Sequence, residues 1–525
     1  MIKNPILKGF RPDPSMIRVG DEYYIATSTF EWFPGVQIHH SKDLVNWMLL
    51  TYPLTRTSQL DLRGVPSSGG VWAPNLSYDN GTFYLLYTNV VNRTGAYKDA
   101  HNYLVTAKDI NGPWSESIYL NSSGFDPALF HDEDGRKWLL NMQWNFRNSN
   151  RRFDGILLQE YSEKEQRLIG PVHKIIDGVD HWVKEGSNMY KRGEYYYIII
   201  AEGGTGFNHS VTVARSKTIT GPYEMDPNGP ILTTRHNPDH SLQKAGHASI
   251  VETQTGDWYI AYLCARTLPG RKLCPLGRDT AIQKCYWTED EWIRLPEGRT
   301  EPKLLEERPN LPLHLFAEDH DRDHFDGTEL SIHFQTLRVP AEESWLSLRE
   351  RDSFLRIYGR ESLTSLQNQS IVARRLEDFE CEIETCVEFS PDHFMQMAGL
   401  ILYYDENDHF YLRISHDDKV GKNISVMSMN QGHYYEYVED MVSIEKWERC
   451  YLRVSIQMDD VQFLFSKDGE VWQMIGPKLD FGQLSDEYQG KLGFTGSLVG
   501  MCVQDMSGSK KFADFDYFQF KSLET

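Results

Sequence analysis

Five stretches in the first three hundred residues share one plan, and that repetition constrains the fold more than any other feature. Each begins with a head residue, runs through a short apolar stretch and a tight turn, and enters an aromatic strand. The heads are Asp13, Trp72, Asp126, Glu185 and His247, and the aromatics reached are Tyr24, Tyr84, Trp138, Tyr196 and Tyr259. The turns between them are Gly20-Asp21, Asn80-Gly81, Asp134-Gly135, Arg192-Gly193 and Thr255-Gly256. Head and aromatic stand 11 or 12 residues apart, and successive heads 59, 54, 59 and 62 apart. A period of this size with several strands per unit predicts a β-propeller, because one such unit cannot bury its apolar faces alone. Five units predict five blades. Equivalent positions in the repeat would bring the five heads together at the axis.

Three of those heads are carboxylic acids. A single Asp before Pro is usually a turn residue. Three acids at one axis are different, since clustered carboxylates repel and lose hydration, and a purely structural ring would carry small or apolar groups there. Cleavage of a glycosidic bond needs such a cluster: one carboxyl protonated to donate to the leaving oxygen, one ionised to take a proton from water. Carboxyls spread over different blades leave room for that water.

Aromatic side chains lie close to the heads in sequence. Trp72 is itself a head, Phe30, Trp32 and Phe33 follow the first aromatic strand, and Trp144 follows the third. Each can bind the apolar face of a pyranose or pack between blades. His247 can hold a metal or water on the axis, or hydrogen-bond within the core. Arg278, in Gly277-Arg278-Asp279-Thr280, can clamp sugar hydroxyls or form an ion pair at a blade edge.

The rest of the chain sets bounds. At 525 residues it exceeds one ordinary core. Residues 1–300 read as the propeller. Residues 301–324, with Pro302, Pro309, Pro312 and a polar run from Glu318 to Asp323, read as a connector. Alternating strands resume over 325–525 and predict a second, two-sheet β-sandwich of jelly-roll, lectin-like type. The fold class is therefore all-β. A net charge of −21 with no basic patch argues against nucleic acid as a partner. Seven cysteines without a CxxC pair, no apolar signal core and no membrane-length run predict a cytoplasmic protein without disulfides or structural zinc.

These stretches resemble glycoside hydrolase family 43. The motifs are Arg11-Pro12-Asp13-Pro14-Ser15, Trp72-Ala73-Pro74-Asn75, Gly124-Phe125-Asp126-Pro127, Lys184-Glu185-Gly186 and Gly246-His247-Ala248. The ending, Phe494-Thr495-Gly496 through Ala513-Asp514-Phe515-Asp516-Tyr517-Phe518, is similar to the accessory sandwich of that family's β-xylosidases. The resemblance implies an inverting exo-hydrolase with Asp13 as general base, Glu185 as general acid and Asp126 tuning the acid and orienting substrate. It implies release of xylose from β-1,4-xylo-oligosaccharides, often with α-L-arabinofuranosidase activity, and a homo-oligomer. No cofactor is expected to be required, although a calcium ion on the axis near His247 is compatible with the pattern. The family's β-xylosidases often carry a Phe at the pocket mouth in a Phe-Val-Gly-Met run. This chain has Leu498-Val499-Gly500-Met501, which makes Leu498 the candidate rim residue. Two alternatives remain at this point: an arabinan-cleaving hydrolase on the same fold, and a non-catalytic glycan-binding protein.

Overall fold

The computed structural model describes residues 1–147, 152–178, 183–317 and 319–523. The chain divides into two compact units. The first comprises Met1–Leu60, Ser68–Arg266 and Arg278–Phe316; Asp61–Ser67 and Thr267–Gly277 belong with the second, which continues from Ala317. Among the described residues there is no α-helix, only four short 3-10 turns among β-strands.

The first unit is a five-bladed propeller. Each blade is an antiparallel sheet built on four strands met in chain order from the axis outward. The inner strands are Ser15–Val19, Gly70–Asp79, Ala128–His131, Lys184–Arg192 and Leu242–Glu252. Each touches the next, and the fifth touches the first, so the ring closes. The turn after an inner strand is tight because its residues accept left-handed backbone. In the second blade Tyr78 faces Phe83 and Asp79 faces Thr82 across Asn80-Gly81, whose φ values are 46° and 77°. That is the twist a two-residue hairpin requires.

Closure between the last and first blades uses the amino terminus as a clip. Ile2–Lys3 pairs with Leu305–Glu306. The Asn4 side chain donates to the carbonyl of Ile282 and accepts from its N–H. Leu7 exchanges backbone hydrogen bonds with Thr280. Beneath this clip Ile2, Leu7, Met16, Tyr23, Ile25, Tyr259 and Ile282 form one apolar cluster.

The second unit is a two-sheet sandwich. One sheet runs through Leu355–Tyr358, Phe512–Ser522, Glu380–Glu388, Arg449–Gln457, Asp460–Ser466 and Gln473–Asp480. The other runs through Gly421–Asn430, Asp408–Asp417, Gln396–Asp405, Leu498–Asp505 and Ser370–Arg375. Alternation puts Ile383, Leu400, Leu412, Val454, Phe463 and Phe515 into one shared core. The stretch read as a connector is divided between the units. Leu305–Glu306 is a strand of the first, whereas Arg322–Asp323 pairs with Gln519 and Phe518 in the second. Glu318, in that stretch, lies outside the described residues.

Candidate active site

The repeat brings the acids together, with one refinement. Each blade has a left-handed residue just before its inner strand or within the first part of it: Asp13 and Asp126 before, Ala73, Gly186 and His247 within, with φ between 24° and 58°. Two residues further on, each strand pairs in the same way, as Ser15 with Ala26, Asn75 with Leu86, Ala128 with Leu140, Asn188 with Ile199 and Ser249 with Ala261. Asp13, Asp126 and His247 are therefore true equivalents. Trp72 and Glu185 stand one residue earlier, correcting the expectation that all five heads are equivalent. The left-handed position disfavours bulky side chains, and Ala73 and Gly186 occupy it in those two blades.

Space explains two of the motif glycines. A Cβ on Gly186 would lie 2.7 Å from the His247 ring, and one on Gly246 would lie 1.4 Å from the His209 ring. Neither position has room for a side chain.

The three carboxyls are 5–8 % exposed. Asp13 is heavily supported. Arg278 Nη1 donates to its Oδ1 at 3.0 Å, Ser28 Oγ donates to its Oδ2 at 2.6 Å, and His247 Nδ1 stands 3.8 Å from Oδ1. Burial pushes the Asp13 carboxyl up, but the charge of Arg278, with His247 and the Ser28 hydroxyl, outweighs it and holds the group below the usual carboxylate range. Asp126 accepts the Gly186 N–H at 3.0 Å on Oδ2. Its carboxyl is raised well above the usual range by burial and by the charges of Glu185 and Asp13. Glu185 is raised to about 7, first by burial and then by Asp13, against the opposing pull of Arg278 and Lys98. One acid is thus held ionised and another protonated within a single ring.

The other expected residues fall into place unevenly. Phe30 packs between Phe10 and Trp72, with ring centroids at 5.5 and 6.3 Å, and Arg278 stands over its face at 5.7 Å. Trp72 donates its indole N–H to Ser68 and meets the edge of Phe125. Trp144, half-buried, donates to the carbonyl of Ala96 at 2.9 Å, and the Lys98 ammonium lies 4.5 Å from its ring. Arg278 is neither at the surface nor at a blade edge: it is 2 % exposed and paired with Asp13. Leu498 belongs to the second unit, fully buried at the start of its strand opposite Arg375 and Tyr403.

Three contributors escaped the sequence reading. Ser28 closes the first aromatic strand, Lys98 sits in a loop of the second blade, and His209 lies against Gly246. None carries a local motif. The position of Ser28, just past the strand Glu22–Thr27 that pairs with the inner strand the base candidate precedes, is the only available signal. Burial pushes His209 down to about 3, so its ring is neutral near pH 7, and burial lowers His247 as well, against the charge of Asp13. Among the described residues no group of three or more His, Cys, Asp or Glu side chains is set to hold a metal. Among the described residues, the carboxylate beside His247 is that of Asp13, already paired with Arg278. Calcium takes six to eight oxygens, so this donor set does not match it.

Residues 2–293 match the family described as Glycosyl hydrolases family 43, and residues 322–521 match the Beta xylosidase C-terminal Concanavalin A-like domain. The chain is 49% identical over 531 residues to a Beta-xylosidase of Bacillus subtilis, covering 99% of both. It is 46% identical over 532 residues to a Xylan 1,3-beta-xylosidase of Vibrio sp, again covering 99% of both. The crystal structure of xylan beta-1,4-xylosidase from Bacillus Halodurans superposes with a TM-score of 0.98 at 53% identity, over 99% of this chain and 100% of that one. More distant relatives include a non-reducing end alpha-L-arabinofuranosidase. A five-bladed ring carrying two carboxyls with opposed protonation, joined to a concanavalin A-like sandwich, and matched along its whole length by these enzymes, is a glycoside hydrolase, and the chain belongs to glycosyl hydrolases family 43.

Proposed function

We propose that this enzyme releases xylose from the non-reducing end of β-1,4-xylo-oligosaccharides with inversion at the anomeric carbon. The observation that carries the reading is the opposed protonation of Asp13 and Glu185. Glu185, protonated near neutrality, gives its proton to the glycosidic oxygen as the bond to the anomeric carbon breaks. Asp13, held ionised by Arg278, takes a proton from the water that attacks the opposite face. The sugar leaves as the α-anomer, and the two carboxyls have exchanged charge states, which solvent then restores. Asp126 is assigned the supporting role: accepting from the Gly186 N–H, it orients substrate hydroxyls beside Glu185, whose proton is kept by burial and by the charge of Asp13. Phe30, Trp72 and Trp144 supply aromatic faces for the sugar.

The relatives named for β-1,4- and β-1,3-xylosidase activity favour a xyloside, and the arabinofuranosidase among them favours α-L-arabinofuranosides as a second substrate. Hydrolysis of 4-nitrophenyl β-xyloside, 4-nitrophenyl α-arabinofuranoside, and β-1,4- and β-1,3-linked xylobiose separates these. Faster cleavage of the β-1,3 disaccharide overturns the linkage assigned here, and no cleavage of any xyloside overturns the reading.

The proposal includes catalysis without a resident metal, because the Arg278 guanidinium already supplies positive charge beside Asp13. Loss of activity on exhaustive chelation, restored by calcium, would refute that. Cytoplasmic location and a homo-oligomer complete the reading. Its seven cysteines are all buried, and no helix among the described residues is long and apolar enough to cross a membrane. Cell fractionation and light scattering test these two points.

A further inference from the structure

Directly beyond the left-handed heads, side chains tie the blades to one another around the axis. Ser249 Oγ donates to the carbonyl of Pro14 at 2.9 Å and accepts from Met16 N–H at 2.8 Å, joining the fifth blade to the first. Ser15 Oγ accepts from Leu76 N–H at 2.9 Å, joining first to second. Asn75 Oδ1 accepts from Leu129 N–H at 3.0 Å, joining second to third. Asn188 Nδ2 donates to the carbonyl of Ala248 at 3.0 Å, joining fourth to fifth. One bond skips a blade: Asn75 Nδ2 donates to Asn188 Oδ1 at 2.9 Å, from the second blade to the fourth.

The register of that bond gives it meaning. Asn75 lies three residues after Trp72, and Asn188 three residues after Glu185. In both blades the intervening left-handed residue is small, Ala73 or Gly186. The bond thus connects the strand that carries an aromatic platform to the strand that carries the raised carboxyl. Both asparagines also border an axial cavity of about 400 Å³, together with Ser15, Met16, Tyr190 and Trp258. Both asparagines are buried, so removing one side chain leaves the other's amide without its partner unless water replaces it.

We infer that Asn75 is a positioning residue for glycoside hydrolysis, setting the acid against the sugar platform through its bond to Asn188. It touches no reacting atom. It acts by fixing the angle between the second and fourth blades, and a misplacement of order 1 Å between catalytic group and substrate costs roughly a hundredfold in rate. The inference rests on the roles proposed above for Glu185 and Trp72.

Asn75→Ala removes the bond to Asn188 and leaves Leu129 N–H without its acceptor. Asn75→Asp keeps that acceptor and the shape, and can accept from Asn188 if its amide turns. The full-length enzyme is assayed on xylobiose and on 4-nitrophenyl β-xyloside, with pH profiles and thermal melts. Expected for Asn75→Ala is a drop in kcat of tenfold or more on xylobiose, a smaller drop on the aryl substrate, and a displaced basic limb. Asn75→Asp is expected to recover part of the xylobiose rate, and Asn75→Ala with Asn188→Ala to lose no more than either alone. Equal losses on both substrates with an unmoved pH profile would reduce Asn75 to a structural residue and overturn the inference. If Asn75→Ala fails to fold, the same comparison on Asn75→Asp and Asn188→Asp decides, since each keeps the size of the side chain. Failure of the underlying reading is distinguishable: Glu185→Gln would then show no difference between the two substrates.

Discussion

The guanidinium of Arg278 stands 3.0 Å from the carboxylate of Asp13, and both are almost fully buried. The pair sets the ionisation of the whole ring, because Arg278 lowers Asp13 and also opposes the rise of Asp126 and Glu185. Replacing it with an apolar side chain of similar length, Arg278→Met, removes all three effects. The acid limb of kcat/KM moves to higher pH as Asp13 rises, and the basic limb moves up with Glu185. Leaving a buried carboxylate unpaired also costs about 3–5 kcal/mol of stability near neutral pH. A pH profile unchanged on both limbs would remove Arg278 from the electrostatics of the site.

Glu185→Gln keeps shape and removes the proton. General acid catalysis contributes about 10²- to 10⁴-fold, so cleavage of xylobiose falls by that order. An aryl xyloside with a good leaving group needs little protonation and falls much less. Similar losses on both would point to another residue as the acid.

The stereochemical outcome is read by proton NMR of the first product from a β-xyloside. Inversion gives the α-anomer first. A β-anomer appearing first would mean a covalent intermediate, with Asp13 as nucleophile rather than base.

The raised carboxyl of Glu185 has a thermodynamic consequence. Its folded form holds a proton up to about 7, whereas the unfolded chain releases it near 4.5. The folded state therefore binds more protons between those values, and stability declines as pH rises through that window. Glu185→Gln cannot titrate, so its melting temperature should fall less than that of the parent between pH 5 and pH 7. Parallel curves would show that the Glu185 carboxyl is not raised in the folded protein.

Leu498 has no exposed surface. Enlarging a well-packed buried side chain costs about 1–3 kcal/mol, so Leu498→Phe should lower the melting temperature measurably. The family resemblance instead implies a rim position, where a ring would change the kcat/KM ratio of xyloside to arabinofuranoside by roughly tenfold. A melt that falls with an unchanged ratio assigns Leu498 to the core. A changed ratio with an unchanged melt assigns it to the rim.

The acids were legible because the repeat displays them: Asp13 and Asp126 each precede proline at the same point of a unit 54 to 62 residues long. The one-residue offset of Glu185 and Trp72 was hidden, since it shows only in the left-handed backbone of Gly186 and Ala73. Arg278 was visible as a candidate but not as the partner of Asp13, because 265 residues separate them and no local pattern encodes that pairing. Lys98 was invisible for the same reason, while Ser28, 15 residues from Asp13, carries no motif of its own. Of the belt, Asn75 stood in view only as the end of the Trp72-Ala73-Pro74-Asn75 motif, and Asn188 in no motif. Their meaning depends on two blades facing each other across the axis, which periodicity alone does not specify.

The amino-terminal clip also orders events in time. Asn4 and Leu7 find their partners at Ile282 and Thr280, and Asp13 finds its own at Arg278. During synthesis from the amino terminus, the first blade emerges with its base carboxylate lacking its counter-charge, and it waits through four more blades. Contacts this distant in sequence close late, after the local hairpins have formed. A nascent chain that stops before Arg278 can own every strand of four blades and still leave Asp13 without its counter-charge. Ribosome-bound chains of increasing length should therefore gain activity abruptly once that stretch has cleared the exit tunnel, rather than in proportion to the number of blades completed.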